Sequence, residues 1–389
     1  MPRWKARPSS VSKQCFLPPA TIGIVGGGQL GQMMALAAKA MGYRILVLDP
    51  TPNAPAGQVA DEQIVAAYDD TAALLRLAQA SDVLTYEFEN VDLTTLRQAQ
   101  QYAALPQGTE LLAISRDRIR EKTFLADNGL PVTPFASVPT AAALPAAIAR
   151  IGYPAILKTT TGGYDGHGQQ DVNSAADLPA AAALAAKTPC ILEKRQAYTR
   201  ELSIMVTRDG NGTVRCFPVV ENRHAHHILH TTIAPAPRLG VDKQAAIQAM
   251  AARVANGLHL AGVLGIELFE TPAGILVNEL APRPHNSGHY SIEACNFSQF
   301  AAHILSICGL PIPPITLRKP AVMRNLLGTD LTTAMTLWPA HPEWHFHDYG
   351  KAEIRPGRKM GHITVVAEEK QSLANLLASV TWEDNTTND

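Results

Sequence analysis

Lys158-Thr159-Thr160-Thr161-Gly162-Gly163-Tyr164-Asp165-Gly166-His167-Gly168-Gln169 is the stretch that decides how this chain is read. A lysine ends the apolar strand YPAILK (153–158), and the loop after it holds four glycines in seven residues, 162–168. Glycines let backbone N–H groups approach phosphate oxygens, and such a loop can close as a lid. The pattern is not a Walker loop, because GxxxxGK[ST] is absent. A mere linker would favour Ser and Gly. Tyr164 and Asp165 among the glycines favour a loop that covers phosphate.

Downstream of this loop, CILEK (190–194) reads as a strand, separated from the first by an alanine-rich helical stretch. ELSIMVTRDGNGTVRCFPVVEN (201–222) is a hairpin pattern turning at Asp209–Gly212. Upstream, GTELLAISRDRIREKTFLADNG (108–129) is one long helical pattern stopped by Gly129 and Pro131. Before it, strands at 21–26, 44–49, 62–65 and 83–88 alternate with helices ending near Met41 and spanning 71–80. That alternation predicts a doubly wound parallel sheet. A third unit opens with a helix at 241–259, continues through strands at 263–269 and 275–280, and closes with a helix at 298–309. Pro311, Pro313 and Pro314 mark a boundary before a tail of short strands and a last helix near 370–380.

Two further patterns bear on chemistry. Gly26-Gly27-Gly28-Gln29-Leu30-Gly31 matches GxGxxG between a strand and a helix, and Asp49 ends the next strand. A dinucleotide site and a purely structural tight turn both satisfy that pattern. In GIELFETPAGILVNELAPR, a turn at 271–274, with its centre taken at Ala273, sets Glu267 opposite Glu279. Facing carboxylates repel unless a cation lies between them or one is protonated. With Asn278 adjacent, the oxygen donors suit Mg²⁺ shared with nucleotide phosphates.

Composition narrows the class. The chain has 389 residues, 46% hydrophobic and 17% charged, with a net charge of -1. That fits a folded chain of two or three domains with no bulk attraction to nucleic acid or to an anionic membrane. Five cysteines without a CxxC pair suit a reducing cytoplasm rather than a disulfide framework or a zinc site. No apolar run reaches membrane-spanning length. Residues 1–20 lack the apolar core of a secretory signal and read as a loose extension. HAHHILH (224–230) offers four histidines, but period-two spacing divides His224 and His226 from His227, which argues against zinc.

Taken together, GGGQLGQM (26–33), TGGYDGHGQ (161–169), NELAPRPHNSGH (278–289) and RPGRKMGH (355–362) resemble, in order and spacing, the PurK family of the ATP-grasp superfamily over about residues 21–370. These are the 5-(carboxyamino)imidazole ribonucleotide synthases. The resemblance implies an α/β and α+β fold: an ATP-grasp fold with an N-terminal doubly wound parallel-sheet domain and a small C-terminal domain. The expected divisions are 21–115, an ATP-grasp lid subdomain at 116–195, a catalytic subdomain at 196–310, and a small domain and tail at 311–389. It implies ATP-dependent carboxylation of 5-aminoimidazole ribonucleotide with bicarbonate through carboxyphosphate, one or two Mg²⁺ ions, and a homodimer.

Residue by residue, the resemblance places Arg118 and Lys158 on ATP phosphates, with Gly163, Tyr164, Asp165, Gly166, His167, Gly168 and Gln169 closing over them. Glu193 and Lys194 match the segment beneath adenine, Glu201 a ribose-binding acid, and His224 a position beside the nucleotide. Glu267 and Glu279 match metal ligands, with Asn278 beside them. Arg283, His285, Asn286 and Ser287 match the site for bicarbonate, carboxyphosphate or ribonucleotide. Gln29, Leu30, Glu87 and Tyr164 would face the ribonucleotide. Lys351 and Arg358, then Arg355 and Lys359, would hold its 5'-phosphate, and Asp165 would orient or deprotonate its amine. His167 departs from the Lys or Arg usual there, which makes any anion contact pH-dependent.

Other ATP-grasp ligases, such as a formate-dependent glycinamide ribonucleotide transformylase or a biotin carboxylase, lack this motif combination. A nicotinamide oxidoreductase leaves Lys158 and the paired glutamates unexplained. A non-catalytic nucleotide-binding subunit need not keep Lys158, Glu267, Glu279 and Arg283.

Overall fold

In the computed structural model, residues 15–89, 91–162, 168–368 and 371–382 are described. The N-terminal unit runs β1 (Thr21–Val25), α1 (Gln29–Ala40), β2 (Arg44–Asp49), β3 (Glu62–Val65), α2 (Thr71–Gln79), β4 (Val83–Tyr86) and α3 (Leu93–Ala99). Its strands are all parallel, in the order β3-β2-β1-β4. Ile22, Ile24, Ile45, Val47 and Leu48 are buried. Such apolar runs are what a sheet covered on both faces requires.

The pattern at 108–129 is two helices rather than one, α4 (Glu110–Ser115) and α5 (Arg118–Asp127). Asp117 makes the break. Its extended backbone leaves the helix, and its carboxylate accepts from the Ile119 and Arg120 N–H groups. An aspartate N-cap competes with helix continuation at that point.

The next unit holds β5 (Phe135–Val138), α6 (Leu144–Ile151), β6 (Ala155–Thr159), β7 (Gln169–Val172), α7 (Leu178–Ala185) and β8 (Cys190–Lys194). The strands form an antiparallel sheet, β5-β8-β6-β7, with a core that includes Leu144, Leu157, Ala181 and Leu192. Lys158 pairs with Gln169, so the glycine-rich stretch is the connection between β6 and β7.

The remaining strands are β9 (Arg200–Arg208), β10 (Val214–Cys216), β11 (Val220–Ala225), β12 (Ile228–Ala234), β13 (Val263–Thr271), β14 (Gly274–Ala281), β15 (Ala321–Leu327), β16 (His345–Asp348) and β17 (Lys359–Val366). The helices are α8 (Val241–Gly257), α9 (Ser291–Ala294), α10 (Gln299–Ile307), α11 (Asp330–Leu337) and α12 (Leu373–Ser379). All nine strands form one sheet, β14-β13-β9-β11-β12-β15-β17-β16, with β10 on β9. The prolines at 311–314 therefore do not end the sheet, because β15 bonds to β12 across them. Nor does α8 open a separate unit. Its Ile247, Ala251 and Val254 share a core with Leu202, Ile204 and Val206 of β9. β13 returns to β9 after a long excursion, and pairings that distant leave no mark on local sequence pattern. Among the described residues, no helix is long and apolar enough to cross a membrane.

Candidate active site

Residues of the four-stranded sheet and of the nine-stranded sheet line one cleft of about 960 Å³. Lys158 is one end of it. It sits opposite Ile191 on β8, so Glu193, two residues on, is its diagonal neighbour on the same face. The Lys158 ammonium donates to Glu193 at 3.0 Å. Burial alone would raise the Glu193 pKa, but the charges of Lys122 and Lys158 hold it below the usual carboxylate value. Arg118 opens α5 and donates to the Thr159 carbonyl at 3.0 Å, which ties its guanidinium to the same strand end. Lys194 turns away, with its ammonium on the Tyr153 carbonyl at 2.6 Å.

On the opposite wall, Glu201 is gripped at both oxygens. The Tyr198 hydroxyl donates to one at 2.7 Å, and His224 Nδ1 lies 2.5 Å from the other. Burial opposes charge on His224, but the Glu201 carboxylate raises its pKa above the usual histidine value. Tyr198 also stacks on Phe269. His226 and His227 form the two-residue turn between β11 and β12, and both have positive φ, 50° and 65°.

Glu267 and Glu279 are opposite each other, as expected, but the turn is not centred on Ala273. Thr271 pairs with Gly274 and Leu268 with Val277, and the register shifts by one before Glu267 pairs with Glu279. Asn278 is therefore the extra residue of a β-bulge. A regular strand would point Asn278 and Glu279 to opposite faces, whereas a bulge re-aims one of them. Asn278 Nδ2 lies 3.4 Å from Glu267, so all three oxygen-bearing side chains belong to the cleft.

His285 Nε2 approaches Glu267 at 3.2 Å, and its Nδ1 meets the Ser287 hydroxyl at 2.8 Å. Burial would raise Glu267, but the His285 hydrogen bond and the His285 and His224 charges hold it well below the carboxylate range. Burial, then the Glu267 charge, push Glu279 up to about 7. Two buried carboxylates with opposed shifts fit a cation shared between them. Among the described residues no three His, Cys, Asp or Glu side chains form a complete cage. Two carboxylates and the Asn278 amide oxygen are the kind of donors Mg²⁺ takes beside phosphate oxygens and water.

A second, smaller cleft of about 260 Å³ opens beside the first and shares Arg283, His285, Asn286 and Lys359 with it. Gln29, Leu30 and Glu87 form its far wall. Arg283 pairs with Glu89 at 2.9 Å. The Asn286 amide is engaged with Asn325, donating at 3.0 Å and accepting at 2.5 Å. Ser287 is fully buried, bonded to Ser203 and His285. It is thus placed to fix the His285 ring rather than to touch a ligand. Of the basic tail, Lys359 lines both clefts. Lys351 donates to the Lys359 carbonyl at 2.6 Å, Arg355 pairs with Glu353 while largely exposed, and Arg358 donates to the Glu353 carbonyl at 2.9 Å.

The first glycine turn is closed to a dinucleotide. The Glu87 carboxylate accepts from the Gly28 and Gly31 N–H groups, and Asp49 accepts from Gly27 N–H at 2.7 Å and from the Tyr68 hydroxyl at 2.6 Å. The amides that a pyrophosphate would use at this helix N-terminus are already taken by the protein's own carboxylates. This removes the nicotinamide reading and gives Glu87 a structural task beside its place on the cleft wall.

Gly163, Tyr164, Asp165, Gly166 and His167 lie outside the described residues; Gly168 ends their loop, and Gln169 borders the large cleft. The sequence reading leaves out Glu89, Glu121 and Lys122, all of which line that cleft. Glu89 had a usable signal, since it follows the carboxyl end of a parallel strand, where ligands of such sheets gather. Glu121 and Lys122 had none, because a charged pair on a helix reads as a solvated face.

Comparison with known proteins adds three family matches. Residues 19–115 match the ribonucleotide synthetase preATP-grasp domain, 123–300 the ATP-grasp domain, and 321–376 the phosphoribosylaminoimidazole carboxylase C-terminal domain. The chain is 46% identical over 360 residues to N5-carboxyaminoimidazole ribonucleotide synthase of Bacillus subtilis (strain 168), covering 92% of this chain and 94% of that one. A crystal structure of an N5-carboxyaminoimidazole ribonucleotide synthetase with ADP superposes with a TM-score of 0.90 at 46% identity, covering 94% and 96% of the two chains. The enzyme from Aspergillus clavatus, in complex with ADP and 5-aminoimidazole ribonucleotide, superposes with a TM-score of 0.86 at 31% identity, covering 93% and 96%.

Proposed function

The chain belongs to the N5-carboxyaminoimidazole ribonucleotide synthase family, and on that premise we propose how its two clefts divide the work. The activity is the ATP-dependent carboxylation of 5-aminoimidazole ribonucleotide in purine biosynthesis, a carbon–nitrogen ligation. The observation that carries the division is the shared wall of Arg283, His285, Asn286 and Lys359 between a large cleft rich in phosphate-binding cations and a small one beside the N-terminal sheet.

In this reading ATP lies in the large cleft. Glu201 accepts from the ribose hydroxyls, and Arg118 and Lys158 hold the phosphates as fixed cations. Glu267, Glu279 and the Asn278 amide oxygen would hold Mg²⁺, one ion or two, which would supply charge neutralisation during phosphoryl transfer. Bicarbonate sits against Arg283 and His285. Its oxygen attacks the terminal phosphorus, the bond to the bridging oxygen breaks, and ADP leaves. The resulting carboxyphosphate lies at the mouth of the second cleft, where the ribonucleotide waits. The amine nitrogen forms the new bond to carbon, phosphate departs with the electron pair of the old carbon–oxygen bond, and the amine proton passes to that phosphate. Released CO2 at the same place would serve the same attack. Lys359, Lys351 and Arg358 hold the 5'-phosphate.

Joining the clefts has a chemical purpose, since a labile acyl phosphate must meet its acceptor before water does. The same reading includes a homodimer working in the cytoplasm, a reducing compartment that suits five free cysteines. Phosphate release from MgATP, measured with bicarbonate and with or without the ribonucleotide, tests the whole. Strong stimulation by both co-substrates is expected. Cleavage indifferent to the ribonucleotide would send the acceptor assignment elsewhere.

A further inference from the structure

β14, which carries Asn278 and Glu279, is an outermost strand of the nine-stranded sheet. An edge strand leaves one row of N–H and C=O groups without ladder partners. A bulge adds an extra residue whose backbone is also unpaired. Both conditions meet at the two residues read here as facing the metal. Yet the edge is closed. The Val277 N–H donates to the Pro131 carbonyl at 2.7 Å, and the Lys122 ammonium donates to the Asn278 carbonyl at 2.7 Å. The Glu121 carboxyl lies close to Glu279 and to the Leu280 N–H.

Glu121 and Lys122 are 4% and 2% exposed, consecutive on α5. Burying an ionisable pair costs several kcal/mol per group unless geometry and hydrogen bonds offset it. What the cost secures here is the backbone on either side of Glu279.

We propose that Lys122, with Glu121, is a positioning residue for the metal site: the pair substitutes for a missing neighbour strand and fixes the bulge that turns Asn278 and Glu279 toward one ion. The proposal rests on the reading of Glu267 and Glu279 as metal ligands. Neither residue is asked to touch the ion. With Lys122 gone, the Asn278 carbonyl loses its partner and the bulge can relax toward regular pairing, which would turn one of the two side chains out of the cleft.

The test measures metal binding apart from turnover. Mn²⁺ is titrated against the full-length protein with ADP present, and the free ion is followed by electron paramagnetic resonance. Loss of an outer-shell partner typically lowers metal affinity about 10–100-fold. Lys122→Met is expected to weaken Mn²⁺ by that factor, Lys122→Arg to recover most of it, and Glu121→Gln, which keeps an acceptor near the Leu280 N–H, to lie between. Metal-free ADP affinity should change less than Mn²⁺ affinity in every variant. If Lys122→Met does not fold, the Arg and Gln variants carry the measurement.

Glu279→Gln separates the two ways to fail. Weakened Mn²⁺ in Glu279→Gln beside wild-type affinity in Lys122→Met overturns the positioning role alone. Unchanged Mn²⁺ in Glu279→Gln overturns the ligand reading and the positioning role with it. Equal loss of ADP affinity with and without metal would make Lys122 a nucleotide contact and also overturn the proposal.

Discussion

Lys351 offers the most quantitative handle on the ribonucleotide site. Burial, then the nearby Arg358 charge, bring its pKa down to about 8; Glu87 pulls the other way and Lys359 adds to the lowering. A free lysine titrates near 10.5. The folded chain thus binds fewer protons than the unfolded one between those values. The cost of the charged form is present below pH 8 and fades as pH rises toward 10. By linkage it amounts to about 3 kcal/mol. A dianionic phosphate beside the ammonium would reverse the sign of that environment. Binding should then require the protonated lysine, and from a pKa of about 8 the affinity should fall about tenfold between pH 7 and pH 9. A phosphate monoester is already largely dianionic over that range, so the ligand adds little slope of its own. Calorimetric titration with the ribonucleotide or with ribose 5-phosphate reads the slope directly. Lys351→Met should bind at least tenfold more weakly at pH 7 and show no slope. A flat profile in the natural protein, or the same slope in Lys351→Met, would remove Lys351 from the phosphate site.

Three other substitutions have readable outcomes. Lys158→Met strips Glu193 of its hydrogen-bonded partner, and breaking a buried pair costs about 3 kcal/mol or more; the KM for ATP should rise at least tenfold, and Lys158→Met with Glu193→Leu should regain stability but not ATP affinity. His226→Asn with His227→Gly gives the β11–β12 turn the residues its positive φ angles favour. Relief of about 1–2 kcal/mol per left-handed residue, less the entropy cost of glycine, leaves a gain of about 1 kcal/mol in urea unfolding; no gain would mean the turn is not strained. Glu87→Ala leaves two glycine N–H groups at the start of α1 without their acceptor. It should lower stability by about 2–3 kcal/mol, and Glu87→Gln should restore part. A loss below about 0.5 kcal/mol would show that water replaces the carboxylate.

Much of the fold was legible because its signals are local. Parallel strands buried on both faces read as apolar runs, the glycine loop follows its lysine-ended strand directly, and helix ends carry their caps. What escaped was set by distant pairing. The prolines at 311–314 do fall between two matched domains, 123–300 and 321–376, yet the sheet runs on past them, because β12 and β15 bond across that division. Residues 108–129 kept helical spacing through a break that Asp117 imposes with two hydrogen bonds. In the site, the charged residues that end strands were visible, since a lysine or glutamate closing an apolar run is conspicuous. Glu121 and Lys122 were not, because nothing in RIREKTFL says which face of α5 will be covered. The GxGxxG turn left two readings open for a related reason. Its sequence specifies the amides of a tight turn, but the carboxylate that fills them comes from Glu87, far along the chain.

The glutamate pair shows how a correct expectation can rest on a wrong intermediate. Counting residues about a turn at Ala273 put Glu267 opposite Glu279. The turn does lie at 271–274, with Thr271 paired to Gly274, but its centre falls between Pro272 and Ala273, and plain counting from there would have set Glu267 opposite Asn278. The bulge restores the pairing by inserting Asn278, and in doing so adds that amide to the same face. A strand of the same sequence without the bulge would set only one of Asn278 and Glu279 on the cleft face. The bulge therefore belongs to the donor set as much as the carboxylates do. A single-residue deletion at Asn278 should keep the hairpin, since the pairs from Thr271–Gly274 to Leu268–Val277 are untouched. A regular ladder would leave Glu279 opposite Glu267 with no amide between them. The deletion variant should then fold, retain metal-free ADP binding, and lose metal affinity by the 10–100-fold typical of an altered metal environment. Retained metal affinity would show that the two carboxylates suffice and that the bulge is incidental.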